Sequence, residues 1–223
     1  MGLMGGWKVY SSGAGAVGAL TFNATADAIG RATADTWTAD AFTISAWCRP
    51  STAATTKLWT LRSNTYDNPS VGWDATGWRA YDEAVVIATG PAAVTGQWTF
   101  VTFRRNGSTL TLSIGTETGA VTHYSGTVFN NFGPTFEFWT GGRLGVAPGP
   151  GGDLALFRVW DAVLSDAEVE AERTSATPAR TAGLFAAWDM DSAASPGADS
   201  SGNGRTLTNG GGGSWEEVAG PAI

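Results

Sequence analysis

Residues 153–172 read DLALFRVWDAVLSDAEVEAE, and this stretch decides the fold class. From Leu154 to Trp160 the large apolar side chains are too dense for a loop, which predicts a strand over 153–160. Ser165, followed three residues later by Glu168, is a capping box in which each side chain satisfies the other residue's backbone N–H; it opens a short helix near 165–173. No comparable helix signal occurs elsewhere, so one capped helix follows a strand in a chain that otherwise reads as strands and turns.

Outward from there, strand patterns recur at short intervals between clusters of Gly, Asn, Asp and Pro, the spacing of a sandwich or jelly roll. In 42–49 the residues Phe42, Ile44, Ala46 and Cys48 share one face, and Thr43, Ser45 and Trp47 share the other. Strands over 97–104 and 109–114 flank Arg105-Asn106-Gly107-Ser108, where Asn-Gly supplies the positive φ angles of a tight hairpin, with Leu110, Leu112 and Ile114 facing inward. Further strands are expected at 57–62, 71–73, 78–81, 135–140 and 184–190, with weaker ones near the start and at 205–208. The tract Gly210–Gly213 resembles a flexible linker, and Trp215 after it allows a docked end.

Four of these segments, in order, resemble the laminin-G-like, concanavalin A-like lectin-glucanase jelly-roll family. Asp40–Trp47 (DAFTISAW) is similar to its "dFTisaW" strand, Gly96–Val101 (GQWTFV) to "gqWthvA", 105–112 to the hairpin that follows, and 152–172 to the closing "G.iDevriYnraLSdaEI" segment. The resemblance implies an all-β, antiparallel two-sheet jelly-roll sandwich with one short helix, a single domain over 1–223 whose residues 209–223 form a Gly-rich tail. It implies a binding module more readily than an enzyme. Two departures stand out: Thr99 replaces the family's frequent His, and Ala155-Leu156 replaces an acidic pair. The second makes Leu154 and Leu156 candidates for a partner interface, with added core packing as the other reading. The stretch 184–204 resembles an opening segment of such domains displaced to the C-terminal end, so the edge strands close the fold late or the order is permuted.

At 223 residues the chain is long enough to bury a sizeable core without disulfides or metals. Its one cysteine, Cys48, lies on the apolar face of its strand and reads as a buried thiol. A formal charge of −7 excludes the basic stripe that nucleic acid or an anionic membrane would require, and no run approaches a membrane span. Only 15% of residues are charged, so the surface is built largely from Thr, Ser, Asn and Gly, which suits glycans or neighbouring subunits, including further copies of the chain. The opening MGLMGGWKVYSSG has neither a basic n-region nor a long apolar h-region, so no secretion signal is expected there. An extracellular-type fold without one points to a bacteriophage virion, in capsid decoration or tail. The alternative is a secreted or cell-surface carbohydrate-binding adhesion module.

Sandwich glycosidases need paired carboxylates, about 5 Å apart in retaining enzymes. No E-x-D-x-x-E occurs; Glu137 is a lone strand carboxylate, and Glu168, Glu170 and Glu172 fall on the helix. His123 is the only histidine and reads as a loop residue, so every histidine-dependent catalytic or metal site would rest on it. No catalytic residue is assigned. Tryptophan, of which there are eleven, stacks on sugar rings, and Trp73 and Trp78 flank the turn Asp74-Ala75-Thr76-Gly77, with Tyr66 and Tyr81 nearby and Asp67 and Asn68 as hydrogen-bonding neighbours. These six are the candidate glycan contacts. Asp189, Asp191, Asp199 and Asn203 offer oxygens of the kind calcium takes, and many relatives of this fold bind calcium near the sandwich rim; Asp199–Gly204 equally forms two consecutive turns.

Overall fold

The structure is a computed structural model that describes residues 16–22, 29–36, 40–52, 56–62, 69–82, 85–128, 135–140, 151–209 and 215–223. In chain order the strands are β1 (Ala16–Phe22), β2 (Ile29–Thr36), β3 (Ala41–Pro50), β4 (Thr56–Arg62), β5 (Ser70–Asp74), β6 (Gly77–Asp82), β7 (Val85–Thr89), β8 (Thr99–Asn106), β9 (Thr109–Thr116), β10 (Thr122–Thr127), β11 (Thr135–Thr140) and β12 (Gly152–Trp160). Helix α1 (Asp166–Arg173) follows, then β13 (Leu184–Trp188), β14 (Thr208–Asn209) and β15 (Glu216–Ala222).

They form two antiparallel sheets. The first runs β10-β9-β8-β3-β12-β1-β15 with β13 also on β12, and the second runs β14-β2-β11-β4-β5-β6-β7. Alternating apolar residues fill the space between them: Phe42 and Ile44 of β3, Phe103 of β8 and Leu112 of β9 meet Trp59 of β4, Trp73 of β5 and Trp78 of β6. Trp59 packs edge-on to Phe103 at 4.9 Å, and Phe103 stacks with Phe42 at 5.8 Å. Cys48 is buried in this core, and burial, aided by the charge of Asp153, pushes its thiol pKa up.

The β8–β9 hairpin pairs Asn106 with Thr109, so the two loop residues are Gly107 and Ser108. Only Gly107 has positive φ, at 59°, which fits a II′ turn rather than the I′ turn that Asn-Gly predicts. The last stretch, expected as a tail, pairs along β1 as β15.

The deciding segment carries a bulge that its sequence does not announce. Leu154 faces the inter-sheet core, Ala155 and Leu156 both face outward, and from Phe157 onward the inward positions are the odd ones. At that point β12 leaves β1, which pairs it only through Leu154, and takes β13 from Phe157. Leu156 absorbs the extra residue with φ 49°, its N–H bonded to the Asp189 carbonyl at 3.1 Å.

The outer face of the first sheet is not open. The capping box forms as predicted, with Ser165 N–H donating to Glu168 Oε2 at 2.7 Å and Glu168 N–H to Ser165 Oγ at 3.3 Å. The helix and its flanks lay Leu164 and Val169 onto Trp47, Phe100, Leu156 and Trp160. Leu164 N–H donates to Thr43 Oγ1 at 2.9 Å and Trp160 Nε1 to the Arg180 carbonyl at 2.8 Å, lacing 161–183 across the strands. Beneath it Arg158 and Glu172 form a fully buried ion pair, and Glu172 also accepts from Ala179 N–H at 2.8 Å. Leu154, in the inter-sheet core, and Leu156, under the chain's own helix, are therefore 0% and 4% exposed, which overturns the partner interface expected there. Among the described residues no helix is long and apolar enough to cross a membrane.

Candidate functional site

The predicted glycan hairpin forms, but its tryptophans point the other way. Trp73 and Trp78 are directly paired across β5 and β6, with ring centroids 5.1 Å apart, and are 0% and 1% exposed. They share the inward face with Val71 and Ala80, and Trp73 Nε1 donates to the Thr52 carbonyl at 2.9 Å. Neither can stack on a sugar. Tyr66, Asp67 and Asn68 lie outside the described residues.

Tyr81 alone of the described aromatic candidates stands on the outer side of the second sheet. The Lys57 ammonium sits 3.3 Å from its ring centroid and donates to Ser70 Oγ at 2.7 Å. The ring is occupied by a cation, not open for stacking, and burial together with the Asp74 charge raises its hydroxyl pKa. Beside it Asp74 Oδ1 accepts from Thr76 Oγ1 at 2.5 Å and from the N–H groups of Thr76 and Gly77 at 2.8 and 3.1 Å, while Oδ2 takes Arg79 Nε at 3.1 Å. The Thr76 hydrogen bond is the main reason its pKa falls to about 2. Arg79 also donates to Thr76 and Thr89, so the network is closed on itself.

The residues expected for calcium are spent on a turn. Asp199 Oδ1 accepts from Ala187 N–H at 3.1 Å and Ser201 N–H at 2.9 Å, and Oδ2 accepts from Arg205 N–H at 2.7 Å. Burial pushes that carboxyl up, yet the Ser201, Arg205 and Ala187 bonds outweigh it and hold the pKa low. Asn203 turns its amide nitrogen inward, to the Leu184 and Phe185 carbonyls at 3.0 and 3.1 Å, so its donor side faces the loop. Asp191 is exposed, and Asp189 contributes its backbone carbonyl to the β12 bulge. This arrangement does not fit a calcium ion, and no three His, Cys, Asp or Glu among the described residues gather as metal ligands.

A different site emerges on the first sheet, between β8–β10 and the N-terminal end of α1. Arg104, Asn106, Thr111, His123, Ser125 and Asp166 line an open groove of about 280 Å³. His123 is not in a loop; it lies on edge strand β10, paired with Ser113. Its Nδ1 lies 2.9 Å from Ser113 Oγ and 3.2 Å from Arg104 Nη2. Arginine only donates, so Nδ1 is the acceptor and the ring proton sits on Nε2, 3.6 Å from Asp166 Oδ1. Arg104 is fixed in turn by the Leu164 carbonyl at 2.9 Å and Asp166 at 2.6 Å. The Arg104 hydrogen bond is the main reason the Asp166 pKa is lowered, so this carboxylate, 68% exposed, is ionised at the mouth. Thr111 and Ser125 hydroxyls, 2.8 Å apart, form the floor.

Serine, histidine and aspartate thus line up in hydrolase-like sequence, but Ser113 is fully buried and His123 Nδ1 also takes the Arg104 donor. The helix carboxylates are equally engaged: Glu168 in the cap, Glu170 with Val121 N–H at 3.0 Å and Arg173, Glu172 with Arg158. Glu137 lies on β11, whose side chains are outside the described residues.

Residues 23–170, well over half of the chain, match a laminin-G-like family model described as the concanavalin A-like lectin/glucanases superfamily. The chain belongs to that family. Its fold is similar to that of a protein from Bacteroides ovatus proposed to bind carbohydrate (TM-score 0.61, 13% identity, covering 93% of this chain and 61% of that one). It is also similar to a heptameric SAP-like pentraxin from Limulus polyphemus (TM-score 0.53, 13% identity, 92% and 95% covered). A third similar fold is in the enzymatically active domain of tailspike protein 2 of bacteriophage CBA120 (TM-score 0.56, 14% identity, 77% and 30% covered). A comparison with curated proteins finds no match.

Proposed function

We propose that the protein is a non-catalytic, lectin-like module that binds glycans in the groove between β8–β10 and the start of α1. The observation that carries this reading is the groove's lining: hydroxyls of Thr111 and Ser125, the Asn106 amide, an imidazole N–H and an ionised carboxylate, all on an open surface. Such a set matches the alternating donors and acceptors of a sugar ring. The groove's volume lies near the ~300 Å³ lower end of small-molecule sites, enough for a short saccharide. A lectin-type jelly roll and the engagement of the helix carboxylates in structural bonds support binding over hydrolysis.

The setting proposed is the exterior of a bacteriophage virion, where the module contacts host glycans or neighbouring subunits as a single domain; the fold shared with part of a tailspike supports it. The alternative setting is a secreted or cell-surface adhesion module.

The test is a glycan array on purified protein, followed by titration of the best ligand against the parent and Ser125→Phe. Ser125 is exposed on an edge strand, so the new ring fills the groove without entering the core. Affinity should fall at least tenfold, and the ring C–H signals of His123, the only histidine, should shift saturably in the parent alone. A flat array, or binding untouched by Ser125→Phe, would remove the groove reading. Antibody labelling that finds the protein on cells and never on phage particles would remove the virion setting.

A further inference from the structure

We infer that a second pocket, at the far end of the same sheet, is a subsite for the carboxylate of an acidic sugar, with Arg49 as the recognising residue. Three adjacent strands place Thr21, Asp153 and Arg49 in one cross-strand row, since Asp153 is paired with Thr21 of β1 on one side and with Arg49 of β3 on the other. Thr21 Oγ1 donates to Asp153 Oδ1 at 2.5 Å, and Arg49 Nε donates to Asp153 Oδ2 at 2.5 Å. The Arg49 guanidinium also lies 5.0 Å over the ring of Trp98, which is itself buried. Two loops wall the row in: Gly96 N–H bonds to the Pro50 carbonyl at 2.8 Å and Ser51 N–H to the Gly151 carbonyl at 2.9 Å. The pocket between them is an open depression of about 160 Å³, with Ser51 and Thr95 also on its lining.

Arg49 is thus held by its inner nitrogen and by its flat face. Among the described residues nothing bonds its outer Nη pair, the fork that matches the two oxygens of a carboxylate. A long side chain already fixed in one rotamer loses little further entropy when the fork is filled, which is the cost that weakens most surface arginine pairs. Both Asp153 oxygens are engaged, by Thr21 and Arg49, and its side chain is only 11% exposed, so an entering anion meets the outer Arg49 nitrogens before the carboxylate. The cavity is too small for a whole saccharide and the right scale for one substituent, with serine and threonine hydroxyls at its rim for the sugar hydroxyls beside it. The identity of the carrier rests on the glycan-binding reading; the carboxylate does not.

Proton–nitrogen spectra of the arginine Nε–H groups in the intact protein test the assignment, with the Arg49 signal identified by its loss in Arg49→Lys. Sodium glucuronate, sodium acetate and methyl glucoside are titrated at constant ionic strength, with sodium chloride as the control. Glucuronate should move the Arg49 signal saturably and at least tenfold more tightly than acetate, methyl glucoside should not move it, and isothermal titration calorimetry should show glucuronate at least tenfold weaker on Arg49→Lys than on the parent. Absence of a saturable shift with either carboxylate, or the same shift with chloride, overturns the subsite. Acetate as tight as glucuronate overturns the acidic-sugar carrier. His123 reports separately on the groove: movement at His123 with a silent Arg49 removes this subsite and leaves the proposed function, whereas movement at Arg49 supports the subsite even where the array and Ser125→Phe have removed the groove.

Discussion

The two sheets back onto one core but differ in what covers their outer faces. On the first, α1 and the segment 161–183 form a third layer, so β3, β8 and β12 are buried on both sides along nearly their whole length. On the second, β6 alternates between buried and half-buried positions, and the outward ones, Arg79 and Tyr81, carry polar groups. A strand buried on both faces loses the alternation that marks a half-exposed one and reads as a continuous apolar run. The density of apolar residues in DLALFRVW therefore reflects the helix that follows it in sequence. An apolar outward face calls for a cover, and the cover can be intramolecular.

The sharpest way to break the comparison is at the buried ion pair that ties the third layer down. Glu172→Ala leaves the Arg158 guanidinium uncompensated beneath the helix, and a stability loss of about 3–5 kcal/mol is expected in urea unfolding. The paired exchange Arg158→Met with Glu172→Leu should recover most of it, because burial raises the Glu172 pKa more than Arg158 and its other partners lower it, a sign that keeping this charge is costly. A single variant that loses under about 1 kcal/mol, the scale of an exposed pair, would show that the segment is a loose flap and the face effectively open.

That contrast also explains what the sequence could and could not reveal. The helix, its cap and the β8–β9 hairpin rest on local chemistry between residues a few positions apart, so they were readable. The direction of Trp73 and Trp78 was readable too, though it needed both strands together: Gly72, Asp74, Arg79 and Tyr81 are small or polar at every alternate position, which leaves the tryptophans inward. The bulge at Leu156 was not, since it depends on where β13 joins β12, about thirty residues later in the chain. The groove stayed hidden for a related reason. β10 (THYSGT) is an edge strand with polar residues on both faces, so it has no apolar alternation, and its partners Arg104 and Asp166 are joined to it only by the fold.

Smaller effects belong to the polar outer positions of β6. Lys57→Ala removes the ammonium over Tyr81 and its bond to Ser70, and a loss of about 0.5–1 kcal/mol is expected, read from the same unfolding curves. The Tyr81 ring should then become available for stacking, so an aromatic-dependent glycan affinity that appears only in this variant would show that Lys57 keeps the face from binding. A loss several-fold larger would mean that the second sheet too has a covering layer at this point.

The smallest effect is a slope. Asp74 has a folded pKa of about 2, against about 3.9 for an unfolded aspartate. A lowered folded pKa means that its contribution is fully present above about pH 4 and fades as the pH falls toward 2, when the unfolded chain takes up the proton first. Asp74→Asn removes that contribution at every pH. The melting temperature of the parent should therefore exceed that of the variant at pH 5, and the gap should narrow steadily down to pH 2. Asp166, Glu168 and Glu170 have lowered pKa values as well, but they are present in both proteins and cancel in the difference. A gap that stays constant across this range would mean that Asp74 acts through hydrogen bonds that do not depend on its ionisation and that the amide fails to make, and that the polar face owes nothing to charge.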